Sequence, residues 1–232
     1  MEETVTNADE HAAPGHAWIS YVVPMALFFA ITMFESRAPA QYPYIYLLKV
    51  VLVTACLWAF QTPLRDLRCD GGVLLPAVLV GAAVFVEWVW LGPLTHYPHF
   101  AFLGTRAEYN PFVAIGNPSL RGVFLVARFY GLVLLVPLVE EIFWRSFLLR
   151  VLTDPDDFHR LRVGEFSWVA FALVAFAFGT AHPEWLEAIV CAVAYGLLLR
   201  QTRSLFACVV AHGVTNLLLG IYVVTQHAWK FW

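Results

Sequence analysis

Long apolar stretches separated by short polar ones run through most of the chain. A helix needs about 20 mostly apolar residues to cross a bilayer. Stretches of that kind lie at 17–34, 43–60, 72–92 and 120–139, and again at 166–181, 185–200 and 204–225. The fourth continues to about residue 152 as one long or broken helix. The pattern predicts an all-α fold, a polytopic transmembrane helical bundle of seven spans, or eight if the long segment is split near Pro137. Residues 1–16 read as a polar N-terminal tail and 17–232 as a single transmembrane domain. No basic stretch precedes the first apolar run and no small-residue cleavage site follows it closely, so that run is expected to be a retained helix.

Composition strengthens this picture. Of the 232 residues, 60% are hydrophobic and 13% charged, where soluble domains carry about 25% charged residues. The mean hydropathy is +0.69. Aromatic residues make up 16%, which suits belts at the membrane interfaces. A net charge of −3 gives no reason to expect nucleic acid; the expected partner is the lipid bilayer. Cys56, Cys69, Cys191 and Cys208 form no CxxC pair and read as small buried hydrophobes.

Basic residues orient the bundle. With the N-terminus inside, Arg65, Arg68, Arg150, Arg160, Arg162, Arg200 and Arg203 are cytoplasmic, and Arg37, Arg106, Arg121 and Lys230 are on the far side. Seven against four predicts an integral membrane protein with its N-terminus in the cytoplasm. Residues 93–119 form a long loop rich in aromatic, Gly and Pro residues, either a connector or an interfacial lid. Residues 153–165 are polar and face the cytoplasm in this layout.

A few polar residues inside apolar runs are the candidate chemistry. Glu140 and Glu141 sit in GLVLLVPLVEEIFWRSFLL, followed by Arg145. Charged side chains at membrane depth are costly and persist where they face a protein interior or a wet cavity. Glu141 and Arg145 are four apart, share a helix face and can pair. Glu140 points elsewhere and has no partner within its own turn, so it is assigned to proton transfer and the pair to positioning. A structural ion cluster is the competing explanation. Phe178 and His182 end the next apolar run, where Pro183 marks a turn and water can enter; there His182 is either a base or a histidine at a helix end. His212 and Asn216 lie four apart in the last run and can donate hydrogen bonds to a developing oxyanion, or link helix to helix. Gly213 between them permits close approach of a neighbour.

In order, EExxxR, FxxxH and HxxxN on three separate segments resemble the CPBP family of intramembrane proteases, also called the Abi or CAAX-protease family, which includes the Rce1-type CAAX prenyl endopeptidases. Glu140, Glu141, Arg145, Phe178, His182, His212 and Asn216 fill every expected position. The resemblance covers about residues 120–225, the expected catalytic core. The arrangement of the first hundred residues looks like the CAAX-protease-related proteins that accompany bacterial exosortase systems. The resemblance implies a glutamate-type intramembrane endopeptidase acting on a membrane-associated, prenylated CAAX-type or other peptide. In the family, the residues matching Glu140 and His182 activate water, those matching His212 and Asn216 stabilise the oxyanion, and those matching Glu141 and Arg145 support the site. No cofactor is expected. Zinc at Glu140, His182 and His212 is the alternative, although the chain has no HExxH.

Other polar residues at membrane depth are Lys49, Glu87 and Arg128, with Glu87 and Arg128 expected to pair or to line the cavity. Glu187 is within reach of the site, and Glu184 reads as a solvated helix start. His96, His99, His159 and His227 read as surface residues. Two non-protease readings use the same residues: a membrane protein that binds a partner or confers self-immunity, and a proton-coupled transporter. No inverted repeat supports the transporter.

Overall fold

The computed structural model describes residues 18–94 and 108–232. The N-terminal tail and most of the 93–119 loop, with His96, His99 and Arg106, lie outside the described residues. The apolar segments form α1 (Ile19–Glu35), α2 (Tyr42–Ala59), α3 (Leu74–Leu94), α4 (Pro118–Thr153), α5 (Trp168–Thr180), α6 (Trp185–Thr202) and α7 (Leu205–Gln226). Among the described residues there is no strand. Local signals set the ends. The Asn117 side chain accepts from Ser119 N (2.9 Å) and Leu120 N (3.1 Å) ahead of Pro118, capping α4. Ser167 and Ser204 cap α5 and α7 by accepting from Ala170 N and Ala207 N. Arg203 and His227, both left-handed at φ 54° and 56°, close α6 and α7.

Among the described residues, four helices are long and apolar enough to cross a membrane: α3, α4, α7, and α2 with the turn before it. The protein is an integral membrane protein. Its outward faces are apolar, with Trp58, Val126 and Phe176 among the exposed large side chains. Its interior holds charge: Glu141 is 0% exposed, Arg145 2% and Lys49 4%. That is the reverse of a soluble protein and suits a lipid surround.

The long segment is not split at Pro137. It runs 36 residues, from Pro118 to Thr153, with π-helical turns at Gly131–Leu135 and Ile142–Leu148. Pro137 lacks a backbone N–H, and the first π turn ends just before it, so the widened turn absorbs the missing donor.

The 166–181 span is shorter than expected. Helix α5 has 13 residues, about 20 Å at 1.5 Å per residue, where the hydrocarbon core is about 30 Å thick. Its last turn therefore stops inside the bundle. Glu140 lies thirteen residues before the end of α4, and Trp88 fourteen after the start of α3, again about 20 Å from the face carrying those ends. The rings of Trp88 and His182 meet with centroids 6.3 Å apart. The short α5 thus brings His182 to the depth of Glu140.

Two glycines set the packing of α7. A Cβ at Gly81 in α3 would lie 2.3 Å from Ala211 O, and one at Gly213 in α7 would lie 2.7 Å from Val133 O in the first π turn. Neither distance is tolerable for a real Cβ, so α7 touches α3 and α4 backbone to backbone.

The expected pair of Glu87 with Arg128 does not form. Both Glu87 carboxylate oxygens are buried without a hydrogen-bond partner, and the nearby charge is Glu187 on α6. Arg128 lies elsewhere, over the rings of Tyr46 (4.9 Å) and Trp232 (5.3 Å). Lys49 instead meets Glu35 at 2.6 Å, a partner on α1 that hydropathy alone hides.

Candidate active site

Glu141 joins the first motif to the third. Its Oε1 accepts from Arg145 Nη1 at 3.1 Å, one turn on, and from His212 Nδ1 at 2.9 Å, on α7. The helical spacing of four makes the first bond, and the close seat of α7 on α4 makes the second. Phe178 and His182 join through ring contacts. The Arg145 guanidinium lies 4.5 Å over the Phe178 ring, and that ring stacks on His182 with centroids 4.5 Å apart. Glu140 is 6% exposed, lies within electrostatic range of Arg145, and has its Oε2 buried without a partner. The six residues from Glu140 to His212 thus lie in one connected group.

Hydrogen bonds orient the ring nitrogens. His182 Nδ1 lies 2.8 Å from Phe178 O. A carbonyl only accepts, so Nδ1 carries the proton and the basic lone pair is on Nε2. His212 differs. Its Nδ1 donates to a carboxylate, and Nε2 can donate as well only when both ring nitrogens are protonated. Asn216 donates one amide hydrogen from Nδ2 to Leu132 O (2.8 Å) in the first π turn. The same nitrogen carries a second hydrogen. The π turn therefore presents the carbonyl that orients Asn216.

A second layer was not singled out in the sequence. Tyr195 on α6 is fully buried, with its ring 5.5 Å from His212 and 5.6 Å from the Arg145 guanidinium. Its hydroxyl donates to Thr215 Oγ1 at 2.7 Å, and Thr215 in turn reaches Gly81 O at 2.7 Å. This line of bonds ties α6, α7 and α3 behind the histidine. Thr215 lies three residues after His212, so helical spacing pointed to it, but the partner Tyr195 depends on how the helices pack. Cys191 and Cys208 are buried here as well, as expected; Cys69 is exposed and Cys56 half-buried.

Among the described residues, no group of three or more His, Cys, Asp or Glu side chains is placed to hold a metal ion. Trp144 Nε1, Glu141 Oε2 and Arg145 Nη2 are, like Glu140 Oε2, buried polar atoms without partners. In a lipid-surrounded bundle such atoms are costly and cluster where function requires them.

This is a membrane-embedded helical bundle with a buried Glu–Arg–His centre. Residues 122–218 match the family model described as type II CAAX prenyl endopeptidase Rce1-like, so this stretch is similar to the CAAX-protease (CPBP) family. It contains all seven motif residues. The first hundred residues, on which the likeness to exosortase-associated proteins rests, lie outside the match. No curated protein and no solved structure matches the chain.

Proposed function

We propose that the chain is a glutamate-type intramembrane endopeptidase that hydrolyses a peptide bond in a membrane-associated substrate, with prenylated CAAX-type peptides the class that the family description names. The observation that carries the reading is Glu141. It binds Arg145 and His212 at once with no solvent exposure, and leaves its neighbour Glu140 buried with an unpartnered oxygen. One carboxylate is structural; the other is available for proton transfer.

In this scheme Glu140 and His182 remove a proton from water as its oxygen attacks the scissile carbonyl. The second amide hydrogen of Asn216 and a ring N–H of His212 stabilise the oxyanion. The tetrahedral intermediate collapses, the C–N bond breaks, and the proton passes from Glu140 to the leaving amine. Arg145 and Phe178 hold the groups in place, Arg145 by pairing with Glu141 and Phe178 by stacking on His182. Preorganised donors of this kind are worth about 10²–10³ in kcat each.

The test compares membranes holding the wild type with membranes holding Glu140→Gln at equal expression, with new peptide termini catalogued by mass spectrometry. Termini present only with the wild type support the reading and reveal the substrate class. Identical catalogues from two folded proteins would favour a scaffold that binds a partner without cutting.

A further inference from the structure

A cavity of about 630 Å³ opens on the face opposite the Ala181–Glu184 turn, where the loops after α2, α4 and α6 converge. Its lining includes five arginines and three carboxylates, an excess of positive charge where the helix ends meet water. We propose that this cavity binds a phosphate group at the membrane surface, of the kind that an anionic phospholipid headgroup or a soluble phosphate presents. Nothing in the proposed cleavage chemistry uses it, and it stands on its own residues.

The floor is built and rigid. Arg150, 4% exposed, donates through Nη2 to Asp66 Oδ2 (2.6 Å) and Ser146 Oγ (2.6 Å), through Nη1 to Leu161 O (3.3 Å), and through Nε to Ser146 O. Tyr21 of α1 also donates to Asp66 Oδ2 at 3.1 Å. One wall is equally fixed. Arg203 Nη1 donates to Gly164 O at 2.7 Å, and Gly164, left-handed at φ 83°, leaves no space for a Cβ against Leu199 O.

The rim carries the charge that this frame does not use. Asp66 neutralises Arg150, and Glu165 pairs with Arg162 at 3.2 Å. Arg65 and Arg68 line the cavity, are exposed, and have no hydrogen-bond or ion-pair partner among the described residues. Two unpaired guanidiniums converging on a preformed concavity focus a positive field. Guanidinium groups match phosphate oxygens in a bidentate fork, and the volume lies in the range of small-ligand sites. Basic groups beside a membrane gain about 1 kcal/mol each from anionic lipid, so the pair is worth about tenfold or more in retention.

The test uses the full chain. It is purified from bilayers containing phosphatidylglycerol and phosphatidylcholine in equal amounts, and retained lipid is counted by native mass spectrometry. Binding of inorganic phosphate in detergent is measured by calorimetry. The variants are Arg65→Gln with Arg68→Gln, at the rim and not in the floor, and Arg121→Gln on the opposite face. Preferential retention of phosphatidylglycerol by the wild type and Arg121→Gln, lost about tenfold in the double variant, supports a lipid headgroup. Phosphate binding with the same variant pattern, but no lipid preference, supports a soluble phosphate. Equal retention of both lipids with no phosphate binding, or a folded double variant that behaves like the wild type, overturns the proposal.

Discussion

In the proposed scheme two adjacent carboxylates have opposite tasks, and substitution separates them. Glu141 satisfies Arg145 and His212 in a site closed to solvent, so Glu141→Leu leaves a buried guanidinium without its counter-charge. Removing one partner of a buried pair costs about 3–5 kcal/mol. The expected outcome is a clear fall in the thermal unfolding midpoint in detergent, together with loss of cleavage. Glu140→Gln should behave in the reverse manner, because it replaces a buried carboxylate with an unpartnered oxygen by a neutral isostere. It should unfold at or above the wild-type temperature and still be inactive. A Glu140→Gln protein that unfolds as readily as Glu141→Leu would show that both acids are structural. Tyr195→Phe removes the hydroxyl that reaches Thr215 and should cost about 1 kcal/mol, near the usual value for a buried hydrogen bond between membrane helices.

The helices meet where side chains are smallest, and this gives a graded test. Gly81→Ala and Gly213→Ala each place a Cβ within 2.7 Å of a carbonyl oxygen of a neighbouring helix, so α7 must move away from α3 or α4. Gly213→Ala should also disturb the Asn216 bond to Leu132 and lower the cleavage rate even where the protein remains folded. Gly122→Ala in α4 meets nothing within 4 Å and should leave stability unchanged or raise it by up to about 1 kcal/mol, the intrinsic advantage of Ala in a helix. Equal effects from all three substitutions, read as unfolding midpoints, would contradict this packing. Much of the element layout was legible beforehand, because a hydrophobic run reports length and a span is defined by length. The Glu141–Arg145 pair was legible too, being local to one helix. The bond from Glu141 to His212, the link from Lys49 to Glu35 and the recess of α5 were not. Each depends on which helices are neighbours and at what register, and hydropathy contains neither. The Glu87–Arg128 expectation failed for the same reason.

At the scale of the whole molecule, the depth of the site and the direction of the chain are connected. Helix ends with the most arginines share the face that carries the basic cavity, and positive charge is held on the cytoplasmic side. Cys69 lies exposed beside that face, whereas Cys191 and Cys208 are buried. A membrane-impermeant maleimide should therefore label Cys69 in inverted vesicles and not in intact cells, with the signal lost in Cys69→Ser. Labelling only in intact cells would reverse the bundle. The recessed end of α5 places His182 and Glu140 about 20 Å from the helix ends on the arginine-rich face.

The central claim is that water attacks a peptide bond with Glu140 as the proton acceptor. The most direct measurement is to incubate membranes with the wild type or Glu140→Gln in ¹⁸O-labelled water and sequence the new carboxyl termini by mass spectrometry. The account predicts label in carboxyl termini created by the wild type and no such termini with Glu140→Gln. New termini that lack the label, or labelled termini that persist undiminished with Glu140→Gln, would contradict it.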